Sequence, residues 1–157
     1  MNAPAPRLLA DCSTVAKWKL TAEDYAADAA EMLSDWEAGA IQVCVPDQLF
    51  PELASALLGS YRRHSPRLTQ AEAREALDDL LPSPFTIYRT RGRKLLLRAF
   101  DIATQFNLRI YDCIYVALAE RKRIEFWTAD ERLHNALHLH FPFVRWIAQY
   151  QRKRPSP

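Results

Sequence analysis

Residues 8–11 read Leu-Leu-Ala-Asp, a short apolar run that stops at a carboxylate. Apolar runs of this length are typical of strands buried in a parallel sheet. The same pattern returns at residues 41–46, where Ile-Gln-Val-Cys-Val ends at a proline. A segment with helical features follows each run, and this order of strand and helix predicts an α/β domain.

The rest of the chain continues the alternation of strands and helices. Further strands are expected at residues 85–88, 125–128 and 143–147, and all five together predict a mainly parallel central sheet of about five strands, flanked by helices. The helix starts also carry signals. Ser13 or Thr14 is expected to cap a short first helix, and Pro51 suits the first helical position of a helix over 50–63.

Two further helix starts are marked by capping boxes, one at residues 21–24 and one at 69–72. The first is expected to open an Ala-rich helix that runs to Gly39. Additional helices are predicted at 93–106, at 111–122 and after Asp130.

The length of 157 residues suits one compact domain. We expect an N-terminal extension over 1–7, a single domain over 8–148 and a basic tail over 149–157. The longest apolar run, at 113–119, is too short to cross a bilayer, and the first residues lack the long apolar segment of a signal peptide. A cytoplasmic protein without membrane contact is therefore predicted.

Composition excludes several kinds of site. The chain has three glycines, too few and too scattered for a glycine-rich phosphate loop or a dinucleotide-binding loop. Its three cysteines are far apart and form no Cys-x-x-Cys pair, which argues against a disulfide framework and a zinc knuckle. His134 and His138 have a spacing that can bind zinc, but no suitable third ligand accompanies them.

Charge is distributed unevenly along the chain although the formal net charge is only +2. Residues 1–60 hold three basic and nine acidic side chains, a net charge of −6, whereas residues 61–157 hold eighteen and ten, a net charge of +8. A uniformly basic surface is excluded. A basic face on part of the molecule is compatible with nucleic-acid binding.

Four carboxylates follow predicted strands or open predicted helices: Asp11, Glu52, Asp112 and Asp130. Ligand sites of open parallel sheets lie beyond the carboxyl ends of the strands, so these groups can converge there. Two carboxylates about 4 Å apart repel each other by roughly 4 kcal/mol at an effective dielectric constant near 20, and divalent cations relieve such repulsion. Oxygen ligands favour Mg²⁺ or Mn²⁺ over zinc. The alternative is that each carboxylate only caps a helix or neutralises its dipole.

The local sequences around these carboxylates carry a family resemblance. In chain order they read Leu9-Ala-Asp11-Cys-Ser13, Pro46 followed by Pro51-Glu52, Tyr111-Asp112-Cys-Ile-Tyr115-Val-Ala-Leu-Ala-Glu120, and Trp127-Thr-Ala-Asp130-Glu-Arg-Leu133. Together they resemble the PIN-domain nucleases, and most closely the VapC-like ribonuclease toxins of type II toxin–antitoxin pairs. The similarity covers residues 8–147, with the segments 111–120 and 128–133 its most specific parts.

This resemblance implies a metal-dependent endoribonuclease that uses Mg²⁺ or Mn²⁺. Asp11, Glu52, Asp112 and Asp130 match the acidic cluster that holds the metal and carries catalysis, with Asp11 and Asp112 assigned to the principal ion. Ser13 and Thr128 match its supporting hydroxyls. One departure is Ser55, where relatives often have Asn. The implied partners are an RNA substrate, a cognate antitoxin and a second copy in a homodimer. The helix over 22–38 is expected to offer an apolar face to a protein partner, either the second copy or an antitoxin segment.

A basic segment lies apart from the carboxylates, and its candidate RNA-binding residues are Arg89, Arg91, Arg93 and Lys94. Side chains of this kind can hold phosphates, although a solvated helix face has the same composition.

Two other functions stay open at this point: a PIN-type nuclease in RNA processing outside any toxin pair, and a catalytically silent PIN-like module that binds metal or protein. Receiver domains and haloacid-dehalogenase phosphatases are disfavoured because Ala10 and Ser13 stand where those classes need acids.

Overall fold

The computed structural model describes residues 4–63 and 67–152. Its five strands form one sheet in the order β3-β2-β1-β4-β5, and every neighbouring pair is parallel. The strands are β1 (Arg7–Ala10), β2 (Gln42–Pro46), β3 (Thr86–Tyr88), β4 (Glu125–Thr128) and β5 (Val144–Trp146). The predicted α/β class and the five-stranded parallel sheet are confirmed.

Helices cover both faces of this sheet. In the described ranges there are seven α-helices, accompanied by short 3-10 helices at Ala16–Trp18 and Ile147–Gln149. The α-helices are α1 (Cys12–Val15), α2 (Ala26–Glu37), α3 (Leu49–Arg62), α4 (Gln70–Leu80), α5 (Arg93–Phe106), α6 (Ile110–Lys122) and α7 (Glu131–Leu137).

The alternation of side chains along β1 separates two apolar layers. Leu8 and Ala10 belong to a buried cluster with residues of α2, α3 and α4, whereas Leu9 belongs to a second cluster with residues of α5, α6 and α7. Successive residues of a strand point to opposite faces, so a strand that is apolar at every position must be covered on both sides. The result is a three-layer α/β/α domain with β1 at its centre.

The order of the strands places a crevice beside β1. From β1 the chain moves to β2 and β3 on one side, and then crosses to β4 and β5 on the other. The crossover helices of β1 and β4 therefore leave the sheet in different directions, and the carboxyl ends of these two strands border the gap. Such switch points are where open α/β sheets bind ligands.

Two helices begin earlier than predicted. Asp11, rather than Ser13 or Thr14, caps α1, because the Asp11 carboxylate accepts a hydrogen bond from the backbone N–H of Thr14 at 2.9 Å. Helix α3 begins at Leu49, so Pro51 is its third residue and not its first. A proline is tolerated at this place because the first-turn N–H groups have no partner within the helix.

The two capping boxes have different outcomes. The box at 69–72 is confirmed, since Thr69 and Glu72 cap each other's backbone. The box at 21–24 is wrong: α2 begins at Ala26 after Tyr25, whose φ is +62°. The Tyr25 ring packs edge-on against Trp146, with 4.7 Å between ring centroids. This tertiary contact accompanies a left-handed residue at a place where sequence alone predicts a regular cap.

Both ends of the folded part differ from the expected boundaries. Arg7, expected in the N-terminal extension, is the first residue of β1 and pairs with Gln42. At the other end Tyr150 is buried, and its hydroxyl donates to Asp35 at 2.8 Å. Packing thus continues beyond residue 148, where the tail was expected to begin. The rest of that tail, residues 153–157, lies outside the described residues, as do 1–3 and 64–66.

None of the helices in the described part of the chain is both long and apolar enough to cross a membrane.

Candidate active site

Asp11 stands at the carboxyl end of the central strand and is only 6% exposed. One carboxylate oxygen, Oδ1, accepts hydrogen bonds from the Ser13 hydroxyl at 2.6 Å and from the Thr14 N–H at 2.9 Å. The other oxygen, Oδ2, accepts from the Thr128 hydroxyl at 2.5 Å. These donors hold Asp11 in a single orientation at the edge of the sheet.

The loop after β4 is tied to Asp11 through hydroxyl groups. The backbone N–H of Ala129 donates to the Ser13 hydroxyl at 2.9 Å, and that of Asp130 donates to Thr128 Oγ1 at 3.0 Å. Asp130 in turn caps α7 by accepting from the Leu133 N–H at 3.1 Å. The predicted supporting hydroxyls, Ser13 and Thr128, therefore connect the ends of β1 and β4.

Glu52 reaches the same region from the first turn of α3. Its Oε2 accepts from the Tyr115 hydroxyl at 2.7 Å, and its Oε1 accepts from the Gln48 side-chain amide at 3.0 Å. The Gln48 amide also donates to the Tyr111 carbonyl at 3.0 Å. This pair of contacts joins the start of α3 to the start of α6.

Asp112 lies in the first turn of α6, and its partner is the residue that caps this helix. Arg109 Nε donates to Asp112 Oδ2 at 3.1 Å. The ion pair raises the pKa of Arg109 and opposes the effect of burial on Asp112. The Arg109 side chain is 80% exposed, so the pair can rearrange when another cation or a phosphate approaches.

One cavity of about 710 Å³ collects the predicted catalytic carboxylates, and its lining includes Asp11, Glu52, Asp112 and Asp130. Because these residues come from four separate parts of the chain, their convergence is a property of the fold. Local helix capping explains part of what Asp11 and Asp130 do, but it does not explain why all four line the same cavity.

Burial disfavours the charged forms of Asp11, Glu52 and Asp112, and neighbouring carboxylates add to this effect at Glu52 and Asp112. Burial raises the pKa of Asp11 to about 6, although the hydrogen bonds from Ser13, Thr128 and Thr14 act against it. Burial also raises the pKa of Glu52, to which nearby Asp11 and Asp112 add. The pKa of Asp112 is also raised, and burial is again the largest cause. Negative charge here is therefore under-compensated by the protein itself.

A metal site is not preassembled in the described part of the chain, where no three His, Cys, Asp or Glu side chains come together to hold an ion. The carboxylates are instead engaged with hydroxyl, amide and guanidinium donors. The donor set consists of oxygen atoms alone, which fits Mg²⁺ or Mn²⁺, and the under-compensated charge favours a cation. The metal ligand set stays a prediction.

The predicted RNA-binding segment lies elsewhere. Arg89, Arg91, Arg93 and Lys94 are all exposed and do not contribute to the cavity lining. Arg98, one turn into α5, forms a two-pronged ion pair with Glu120 near the end of α6, at 2.7 and 2.8 Å. The start of α5 thus lies at the end of α6 farther from Asp112, roughly 15 Å along the helix.

Different cations line the cavity, and sequence reasoning missed them: Lys17, Arg63 and Arg109. Tyr115 was also missed, although it stands three residues after Asp112 on the same helix. A spacing of three residues places two helical side chains on one face, and this signal also relates Arg109 to Asp112. Lys17 and Arg63 carry no comparable sequence signal, because the fold alone brings them together.

Cysteine and histidine chemistry is unsupported at this site. Burial, with added repulsion from Asp11 and Glu52, raises the pKa of the Cys12 thiol far above its usual range, and burial raises that of Cys113 to about 11. Thiols with such values are poor nucleophiles at neutral pH. His134 and His138 stack on each other at 4.6 Å between ring centroids.

A comparison with protein-family models matches residues 18–138 to the PIN domain. The chain belongs to the PIN-domain family. No curated protein sequence matches it significantly.

Solved structures share the fold of this PIN domain at low sequence identity. PAE2754 from Pyrobaculum aerophilum has a TM-score of 0.66 and 19% identity, with 92% of each chain covered. VapC20 from Mycobacterium tuberculosis, described as a toxin that cleaves the sarcin-ricin loop, has a TM-score of 0.61 and 17% identity over 88% of this chain and 98% of its own. A toxin-antitoxin complex from Klebsiella pneumoniae has a TM-score of 0.50 and 18% identity over 83% and 92%.

Proposed function

We propose that this PIN-domain protein is an endoribonuclease that depends on Mg²⁺ or Mn²⁺ and acts as the toxin of a toxin–antitoxin pair. The observation that carries the proposal is the convergence of Asp11, Glu52, Asp112 and Asp130 on one cavity at the switch point of the sheet. Membership of the PIN family supports nuclease chemistry, and the named activity of VapC20 supports RNA as the substrate class.

In this proposal Asp11 and Asp112 hold the principal ion, while Asp130 and Glu52 complete the cluster, either as ligands of a second ion or as groups that orient water. When bound, such ions activate water and stabilise the leaving oxygen of a phosphodiester. The protein's own contribution is orientation. Ser13 and Thr128 fix the Asp11 carboxylate, and groups that hold a metal ligand in this way strongly affect affinity and activity.

The remaining partners act on charge and position. Tyr115 and Gln48 each donate to one oxygen of Glu52 and so orient its carboxylate. Arg109 neutralises Asp112 and, being exposed, can turn to a phosphate oxygen of the substrate. We place this activity in the cytoplasm, where the proposed RNA substrate is found and where the three free cysteines would stay reduced.

Metal-dependent cleavage tests the proposal directly. We expect the purified protein to cut single-stranded RNA in Mn²⁺ or Mg²⁺ and to lose this activity in EDTA, and we expect calorimetry to detect Mn²⁺ binding without RNA. An Asp11→Asn preparation controls for contaminating ribonucleases. Equal cleavage by both preparations, or undiminished cleavage in EDTA, contradicts the assigned site.

The proposal of an antitoxin partner is supported by the similar structure from Klebsiella pneumoniae, which is a toxin-antitoxin complex. A short reading frame beside this gene whose product copurifies with the protein and suppresses cleavage supports the toxin assignment. Cleavage without such a partner favours a nuclease that processes RNA outside a toxin pair.

We propose that a second copy binds at a surface other than the 22–38 helix. Ala29 and Met32 of α2 are buried in the core, and its exposed apolar residues Ala27 and Ala30 are small, so the 22–38 segment offers no large apolar face. Helix α5 carries one instead. Leu97 and Phe100 lie on its outer side and are 48% and 63% exposed.

We propose that two α5 helices pack antiparallel across a twofold axis near Leu97. Arg93 and Asp101 are each four residues from Leu97, so Arg93 of one copy lies opposite Asp101 of the partner subunit, and the reverse pair forms by symmetry. This charge complementarity favours a second copy over an unrelated partner. Arg89 and Arg91 precede α5 and lie outside this interface, and they stay proposed contacts for the RNA backbone.

Mass measurement by light scattering checks the dimer. We expect Leu97→Glu to convert dimers into monomers, because it places a charge in the apolar centre of the interface, while Leu81→Glu, at a similarly exposed leucine, leaves the mass unchanged. Arg93→Asp should weaken the dimer, and adding Asp101→Arg should restore it. A monomeric wild-type protein, or a Leu97→Glu dimer, rejects this interface.

A further inference from the structure

The cavity extends well beyond the carboxylates. From Glu52 it continues along one side of α3 to Arg63, about 16 Å farther on, at 1.5 Å of rise per residue. We call this extension the trough. Its lining comprises Ala16, Lys17, Leu20 and Glu23 on one side and Ser55, Ala56, Gly59 and Arg63 on the other. This length exceeds the rise of about 3.4 Å per nucleotide of a stacked strand, so the trough can hold more than one nucleotide.

The far end of the trough holds two cations that share one carboxylate. Lys17 Nζ lies 3.1 Å from Glu23 Oε2, and Arg63 Nη1 lies 3.5 Å from Glu23 Oε1. The Lys17 side chain is 11% exposed, whereas that of Arg63 is 55% exposed. Two positive charges thus face the trough with a single negative charge between them, and the cluster has an excess charge of +1.

Gly59 lies between the two ends of the trough, inside α3. A glycine in a helix interior is less favourable than alanine by roughly 0.5–1 kcal/mol. The fold does not require it here: a Cβ added at Gly59 meets no described atom within 4 Å, and its backbone is not left-handed. The missing side chain leaves the trough wider at this point, and glycine is a residue that allows a ligand to approach the backbone closely.

We propose that the trough is the track of the RNA strand and that Lys17 and Arg63 form a subsite for a backbone phosphate remote from the cleaved bond. This inference rests on the proposed ribonuclease function. Before RNA binds, Glu23 holds both cations in place. A phosphate then replaces the Glu23 carboxylate as the partner of both cations, and Glu23 turns away into solvent.

The pattern of charge favours a nucleic acid over a peptide as the occupant. A polyanion needs cations at intervals along its path, and Arg109 at one end and Lys17 with Arg63 at the other supply them. Between these two ends, α3 contributes the small residues Ser55, Ala56 and Gly59 to the lining, which leaves room for sugars and bases. Lys17 and Arg63 act as positioning residues, since they lie away from the carboxylates.

Salt dependence of RNA binding distinguishes this subsite from a structural ion pair. Binding of a short single-stranded RNA of mixed sequence is measured by fluorescence anisotropy with Ca²⁺ in place of Mn²⁺, over a series of KCl concentrations. The slope of log K against log salt is negative, and each lost phosphate contact reduces its magnitude by about 0.7 for a single strand. We expect this decrease for Arg63→Gln, together with weaker binding.

Two variants give effects of opposite sign, and a third is the control. Glu23→Gln frees both cations, so RNA binding should tighten. Gly59→Ala should weaken binding severalfold while raising the melting temperature, because it narrows the trough but favours the helix. Arg62→Gln removes the same charge at the neighbouring exposed residue, outside the cavity, and should keep the wild-type slope.

The outcomes separate this inference from the proposed function. A wild-type protein that neither binds nor cleaves RNA overturns the ribonuclease proposal. If the wild type cleaves RNA but Arg63→Gln has the slope and affinity of Arg62→Gln, the phosphate subsite is wrong. Unchanged RNA binding in Arg63→Gln with weakened binding of an antitoxin peptide would assign the trough to a protein partner and likewise reject the RNA track.

Discussion

Asp11→Asn is expected to reduce RNA cleavage by more than about 100-fold while making the metal-free protein more stable at neutral pH. The loss should exceed the 10–100-fold effects of changing the groups that support a metal ligand, because Asp11 is proposed to be a ligand itself. The gain in stability arises because Asn carries no charge at a place where the fold disfavours one. Function and stability therefore make opposite demands on this residue.

The sign of the pH dependence follows from the raised pKa. Asp11 has a pKa of about 6 in the fold, against 3.8 for the free group. The folded protein therefore binds the proton more tightly than the unfolded chain, so stability falls as the pH rises between these two values. Above pH 6 the full penalty applies, and a difference of about two pKa units corresponds to roughly 3 kcal/mol.

Thermal unfolding in EDTA checks this expectation. Asp11→Asn should melt several degrees above wild type at pH 8, and the difference should shrink towards pH 4, where the wild-type carboxyl group is also neutral. Asp78→Asn removes an exposed carboxylate and should change neither cleavage nor melting. A variant that melts below wild type at pH 8 contradicts the uncompensated charge at Asp11.

Thr128→Val is expected to lower cleavage by about 10–100-fold, the usual effect of removing a group that orients a metal ligand. Valine has nearly the same side-chain shape as threonine, so the change removes mainly the hydroxyl. Thr128 is completely buried, and its hydroxyl donates to Asp11 while accepting from the backbone N–H of Asp130. Valine leaves both groups without this partner, which costs about 1–3 kcal/mol of stability. It also removes a contact that lowers the pKa of Asp11, so the pKa rises further.

The pH profile separates this effect from simple destabilisation. The acid limb of kcat/KM should move to higher pH in Thr128→Val, whereas Thr128→Ser, which keeps the hydroxyl, should restore both the limb and most of the rate. If the valine variant keeps the wild-type profile and rate, the proposed support of Asp11 by Thr128 is wrong.

Much of the fold could be predicted because its signals are local. A strand that is buried on both faces is apolar at every position, and residues 8–10 meet this rule. The capping box at 69–72 is built from contacts within one turn and is confirmed. The box at 21–24 is wrong: α2 starts after the left-handed Tyr25, whose ring packs against Trp146, and a contact between residues so far apart in the sequence is not visible in a local pattern.

The residues of the candidate site also differ in how far the sequence predicts them. Carboxylates that follow strands are visible in a parallel α/β sequence, and the fold brings all four predicted ones to one cavity. Their partners depend on packing between distant elements: Tyr115 reaches Glu52 across 63 positions of the chain. The basic segment at 89–94 is conspicuous in the sequence. However, the start of α5 packs beside the end of α6, so this segment lies away from Asp112 at the start of α6.

The bond between Asp11 and Thr128 spans 117 positions, and β1 pairs directly with β4. A nascent chain therefore contains Asp11, the first of the four candidate carboxylates, long before β4, whose Thr128 orients it, has been made. At about 5–20 residues per second, translation separates the two by several seconds or more. During that time β1 lacks its neighbouring strand β4, and the candidate active site is incomplete. Under the proposed function, a growing chain cannot cleave RNA until Thr128 and Asp130 have been made, which happens in about the last fifth of synthesis.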